Sequence, residues 1–188
     1  MASQRYRLQQ GTSMIEVLIT IVILAIGLLG LAGLQSRLQA SEMEAYQRAQ
    51  ALILLNDMAS RITTNRANAL FYPGLAPAEA PLGAGLDCPN AVDDQHDIDA
   101  GEWCQALQGA AETSGAGNVG AMLGGRGCVE DLGGDTYRIT VAWQGLTPVT
   151  PAPALDCGRD SYNAANTGCT ADRCRRVVST IVRIADLD

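Results

Sequence analysis

One carboxylate, Glu16, stands inside an otherwise apolar run, "TSMIEVLITIVILAIGLLGLAGLQ", from Thr12 to Gln35. An ionisable group in such a run is costly unless it has a partner, so its presence points to a function. A cut after Gly11 supplies that partner: the new α-amine of Thr12 would lie four residues from Glu16. A paired carboxylate of this kind is a registration device between packed helices. Six cysteines form the second group with chemistry: Cys88, Cys104, Cys128, Cys157, Cys169 and Cys174, all after the apolar run. An even number on one side of a membrane segment reads as disulfides formed in an oxidising compartment. There is no C-x-x-C pair and His96 is the only histidine, which argues against a zinc site. The third group is acidic: Asp93, Asp94, Asp97, Asp99 and Glu102 around His96. Its alternate oxygens suggest calcium, but the full EF-hand loop is missing, and a solvated turn followed by a helix cap accounts for the pattern. No metal and no cofactor are expected. Without a nucleophile elbow, a phosphate-binding glycine loop or a carboxylate pair on a recognisable scaffold, an enzyme is not expected either.

These groups must be positioned by a few elements. From Met14 to Leu34 the run is about 20 residues, roughly 30 Å as a helix, which matches a bilayer core. Arg5 and Arg7 precede it with no acid among them, so the N-terminus should remain cytoplasmic and the rest should face the periplasm or exterior. The run is too long for a cleaved secretory signal, and it flows without a turn signal into "QSRLQASEMEAYQRAQALILLNDMASRI". There Leu34, Leu38, Ala45, Ala49, Leu52, Leu55, Ala59 and Ile62 recur at steps of three and four, the mark of an amphipathic helix. The spacing predicts one helix from about Ser13 to Asn65.

The stretch from Ala67 to Gly101 contains Pro73, Pro77, Pro81 and Pro89 and reads as an irregular connection. "DAGEWCQALQG" predicts a short helix with Asp99 as N-cap, Gly109 as stop, and Trp103 and Leu107 on its buried face. Cys104 on that helix is expected to pair with Cys88; the other pairings stay open. "RGCVEDL" predicts a short strand, joined through Gly133 and Gly134 to "DTYRITVAWQG". In the latter, Tyr137, Ile139, Val141 and Trp143 alternate with Arg138, Thr140, Ala142 and Gln144, one set in and one out. "CRRVVSTIVRIA" is a further strand, rich in β-branched residues. The expected fold class is α+β: a long N-terminal helix whose amphipathic half packs on a three- or four-stranded antiparallel sheet. The formal charge is −7, and Arg173, Arg175, Arg176 and Arg183 read as a solvated strand face, so nucleic acid is not an expected partner.

The basic leader "MASQRYRLQQG", the glycine, the glutamate at the fifth position after it and the apolar helix together resemble the class III signal of type IV pilins and type II secretion pseudopilins. Within that class the N-terminus resembles PilV-type minor pilins, the type IV pilus modification proteins. "EWCQAL", "DTYRITVAWQG" and "CRRVVSTIVRI" look like their later blocks in the same order. The resemblance implies a pilin-like fold and cleavage by prepilin peptidase between Gly11 and Thr12. It implies N-methylation of Thr12, although such families usually begin the mature chain with Phe or Met. It implies Glu16 as the registering residue, with other minor pilins and the major pilin as partners. The domains expected are a leader at 1–11, a membrane or fibre-core helix at 12–35, the amphipathic half at 36–65 and a globular domain at 66–188. The chain is expected in the inner membrane, single-pass with its C-terminal domain periplasmic, and then in a surface pilus. The rival readings are a minor pseudopilin of a type II secretion system and a membrane-anchored periplasmic binding domain.

Overall fold

The computed structural model describes residues 13–90, 92–110, 113–114, 117–118, 122–152 and 155–185. Two compact units divide the chain, Met1–Glu42 and Met43–Asp188. A single helix, α1, runs through Met14–Thr64. In the first unit it is aliphatic from Val17 to Leu34 apart from Thr20 and three glycines, and mostly polar from Gln35 to Glu42; every side chain there is exposed apart from a half-buried Ala40, and α1 is long and apolar enough to cross a membrane.

In the second unit, α1 buries Gln47, Ala51, Leu55, Met58 and Ile62, which recur at steps of three and four and so share one face. This face keeps Leu55 and Ile62 of the stripe expected from hydropathy, with Ala59 at its border, and departs from it earlier in the helix. Ala45 and Ala49 are exposed and Leu52 is 42% exposed. The apolar stripe of the first half continues past Leu38 on hydropathy alone, whereas burial follows the side that meets the sheet.

Residues 66–83 are also more regular than expected. A 3-10 helix, Arg66–Phe71, leads into a one-turn helix α2, Tyr72–Leu75, with Pro73 near its start, where a missing N–H is harmless. A short strand β1, Leu82–Gly83, then pairs with a later strand. Helix α3 spans Gln95–Leu107 and begins well over a turn earlier than expected, with Asp94 rather than Asp99 before its first residue. Asp94, in extended conformation, precedes it, and Asp99 is an interior, buried residue rather than the N-cap. Trp103, Cys104 and Leu107 are fully buried, and Gly109 ends the helix at φ 84°.

Two residues each form β2, Thr113–Ser114, and β3, Gly117–Asn118, which pair antiparallel apart from the main sheet. The main sheet adds β4, Arg126–Asp131, β5, Thr136–Gln144, and β6, Arg175–Arg183. All pairs are antiparallel in the order β1-β4-β5-β6. At the β4–β5 turn, Gly133, Gly134 and Asp135 all have positive φ, and Asp131 Oδ1 accepts the Gly133 N–H at 2.7 Å.

One face of the sheet joins Val129, Tyr137, Ile139, Val141 and Trp143 to the core built on α1, α2 and α3. Gly127 lies flat against the Trp103 indole, which occupies the space a β-carbon would need. Trp103 Nε1 donates to the Leu54 carbonyl at 2.9 Å and so ties α3 to α1. The opposite face was expected to be solvated, yet Thr140 and Ala142 are completely buried. The segment after β5 folds back over it: Cys157 is bonded to Cys128, and with Ala142 and Tyr162 they form a second apolar cluster.

Candidate functional site

The N-terminal half of α1 carries the residues with the most specific pattern. Ser13 caps the helix: its Oγ accepts the Ile15 N–H at 3.4 Å, and its carbonyl accepts the Glu16 N–H at 2.9 Å. Ser13 and Glu16 thus have the S-x-x-E spacing of a capping box, a signal that the sequence reading passed over. Glu16 occupies the first turn, where the helix macrodipole favours an anion. Its side chain is exposed, and no cation lies within ion-pair distance of it among the described residues. Gly11 and Thr12, the expected cleavage and methylation positions, lie outside the described residues.

Beyond Glu16 the surface is aliphatic. Met14, Ile15, Val17, Leu18, Ile19 and Ile21 begin a series of exposed side chains that continues to Leu34. Thr20, the one polar side chain within it, donates its hydroxyl to the Val17 carbonyl at 2.8 Å. That bond leaves no polar hydrogen facing outward and suits an apolar medium. Space is open around Gly27, Gly30 and Gly33, with nothing within 4 Å of where a β-carbon would stand.

The six cysteines form three disulfides: Cys88–Cys104, Cys128–Cys157 and Cys169–Cys174. The first ties the loop before α3 to that helix, the second clamps the segment after β5 onto the sheet, and the third closes the turn before β6. Within that turn Asp172 receives Arg175 Nε at 3.0 Å, and Arg175 Nη1 also donates to the carbonyls of Leu155 and Cys157. Arg175 is therefore buried, not part of a solvated face. Arg176 is also engaged: it donates to Glu44 Oε1 at 3.0 Å and to the Thr147 carbonyl at 2.7 Å.

The acidic group around His96 divides in two. Asp99 turns inward and accepts from Tyr72 Oη, Arg61 Nη1 and Gln95 Nε2. Burial and the Asp99 carboxylate push the Tyr72 phenol far above the usual tyrosine range. Burial opposes charge on Arg61, but hydrogen bonds to Glu102, Asp57 and Asp99 outweigh it and hold the guanidinium protonated. A cleft of about 170 Å³ opens beside this network, lined by Ser60, Arg61, Thr64, Asn65, Gln95 and Asp99. Its charged groups are already paired, which gives it a structural rather than a catalytic character. Asp94, His96 and Asp97 bring ligand atoms within 4.8 Å of one another, but His96 lies in α3, stacked on Phe71 at 4.9 Å. His96 thus sits half-buried in a helix and not in the solvated turn expected for this acidic group, and ring stacking explains its position.

A long apolar helix followed by a small disulfide-braced antiparallel sheet makes this a pilin-like α+β fold. Residues 6–32 match the family described as "Prokaryotic N-terminal methylation motif". No curated protein and no solved structure matches the chain. The motif supports a pilin or pseudopilin, and it implies processing by prepilin peptidase and a membrane origin. Together with the apolar helix, it supports membrane anchoring before assembly.

Proposed function

We propose that the protein is a minor pilin of a type IV pilus, of the PilV type, which helps to prime assembly and sits at or near the pilus tip. The observation that carries this reading is the pairing of the methylation motif at residues 6–32 with one carboxylate, Glu16, at the head of an exposed aliphatic helix. Prepilin peptidase cuts between Gly11 and Thr12 and the new amine of Thr12 is methylated. As the subunit leaves the bilayer, Glu16 receives the Thr12 amine of its own chain or of a neighbour. Desolvation makes an unpaired Glu16 costly in a fibre core, so only the register that pairs it is tolerated. The aliphatic faces of neighbouring helices supply the packing, and the partners are the major pilin and other minor pilins. The PilV assignment rests on the later sequence blocks "EWCQAL", "DTYRITVAWQG" and "CRRVVSTIVRI".

Intact mass and N-terminal sequencing of the protein from cells with native processing machinery test the proposal. A chain that begins at Thr12, with or without one methyl group, supports it; a chain that begins at Met1 or Ala2 overturns it. The second reading, a minor pseudopilin of a type II secretion system, shares the same signal. Co-purification with secretion components rather than pilus components would favour it.

A further inference from the structure

The two edges of the main sheet are unlike. On one side β1 covers β4 with two residues only, and the Val129 N–H beyond it is taken by the Ala76 carbonyl at 2.7 Å. On the other side β6 runs for nine residues as the last strand, in unbroken register with β5 from Arg183 opposite Thr136 to Arg175 opposite Gln144. The bonds just beyond that register, Gly145 N–H to the Cys174 carbonyl and Ile184 N–H to the Asp135 carbonyl, set its phase. Even-numbered residues of β6 bond to β5, and the N–H and C=O groups of Val177, Ser179, Ile181 and Arg183 point away from the sheet. None of these groups has a backbone partner among the described residues. The strand holds no proline, glycine or lysine between Arg176 and Arg183, and no bulge. Between the arginines at its two ends it therefore lacks the usual protections of a free edge.

We propose that this edge is a docking site for an extended segment of another polypeptide, which adds to the sheet as a fifth strand. Its chemistry follows from the side chains along the edge. Ser179 and Ile181 are exposed, Ile181 at 60%, and fit small β-branched residues. Arg183 is exposed, and no carboxylate lies within ion-pair distance of it among the described residues, whereas Arg138, Arg175 and Arg176 are engaged by Glu130, Asp172 and Glu44. The segment therefore carries a carboxylate at the end that meets Arg183. A second copy of this chain fits poorly. Antiparallel self-pairing centred on Ser179 sets each Arg183 opposite Arg175 of the other copy, which is buried and already engaged by Asp172, so neither copy offers Arg183 a free carboxylate. The surface belongs to the sheet and stands whether or not the N-terminus is processed as proposed above.

The test uses the full chain in detergent and a fluorescent heptapeptide of alternating valine and threonine with a glutamate at each end. A second peptide with lysine at each end is the control. Saturable anisotropy is expected with the first peptide, and roughly tenfold weaker binding with the second. Ser179→Pro removes only an outward N–H and leaves the ladder with β5 whole, so it should weaken binding by about tenfold or more. Arg183→Glu should reverse the preference between the peptides and decides the matter if the proline variant fails to fold by near-UV circular dichroism. The proposal is overturned by absence of saturable binding, by equal binding of both peptides, or by a folded Ser179→Pro protein that binds as well as the parent. A dimer in sedimentation that Ser179→Pro dissolves would also overturn it and give the edge to a second copy.

Discussion

Arg61 Nη1 and Asp99 Oδ1 lie 3.0 Å apart, joining the end of α1 to the middle of α3. The same guanidinium meets Asp57 at 2.9 Å and Glu102 at 2.7 Å, and Tyr72 Oη closes on the second oxygen of Asp99. Asp99 is buried and depends on these donors, whereas Asp57 and Glu102 are more exposed and have water as an alternative.

Arg61→Met should therefore lower stability by about 2–3 kcal/mol, because it leaves the Asp99 carboxylate buried without its cation. Asp57→Asn should cost about 0.5 kcal/mol or less, as exposed pairs do. Thermal unfolding of the two variants in one detergent would check the contrast; equal losses would contradict it.

Tyr72 gives a pH dependence of definite sign. Its folded-state pKa is raised by burial and by Asp99, so at alkaline pH the folded protein binds more protons than the unfolded chain. Stability is full below the unfolded value of about 10 and falls as pH rises beyond it. Burial raises Tyr162 and Tyr137 as well, which adds to the same slope. Tyr72→Phe should be less stable than the parent at pH 8, having lost the hydrogen bond to Asp99, but should decline less steeply from pH 10 to 11. Melting curves across that range decide it, and an unchanged slope would exclude Tyr72 as a cause.

The Cys128–Cys157 disulfide holds the segment after β5 over the outer face of the sheet. Replacing both cysteines with serine should cost about 2–4 kcal/mol. It should also expose the Tyr162 side, where Tyr162 Oη donates to the Gly124 carbonyl at 2.8 Å. Limited proteolysis should then cut between Gly145 and Cys174 first; cleavage elsewhere would speak against this clamp.

Glu16→Ala should leave cleavage of the leader largely intact while impairing entry into a fibre. Immunodetection of the variant in sheared pili against whole-membrane levels measures this. Normal incorporation would remove the registration role.

The parts that were legible in the sequence depend on local order. A helix through Met14–Thr64 follows from an unbroken series of helix-compatible residues, and β5 and β6 follow from alternation and β-branching along nine residues each. Glu16 was legible for a different reason: one charge stands out against an aliphatic background whatever the fold. Asp99 was misread because an aspartate before an apolar turn looks like a cap, and only the arrival of Arg61, 38 residues earlier in the chain, makes an interior position tolerable. The burial of Thr140, Ala142 and Arg175 likewise escaped local reading, since it comes from residues 155–162 folding over the sheet.

By itself, then, the sequence determined a membrane-length helix with its single carboxylate, the strands β4, β5 and β6 of the sheet and an oxidised C-terminal region, because periodicity, charge and cysteine placement act over a few residues. Cys88 pairs with Cys104 as expected, whereas the tertiary structure alone decided which face of α1 is buried, how the other four cysteines pair and which carboxylates meet Arg61. It also left β6 as the last strand of the sheet among the described residues. Each of these depends on groups distant in the chain coming within a few ångströms, and no local pattern encodes that distance.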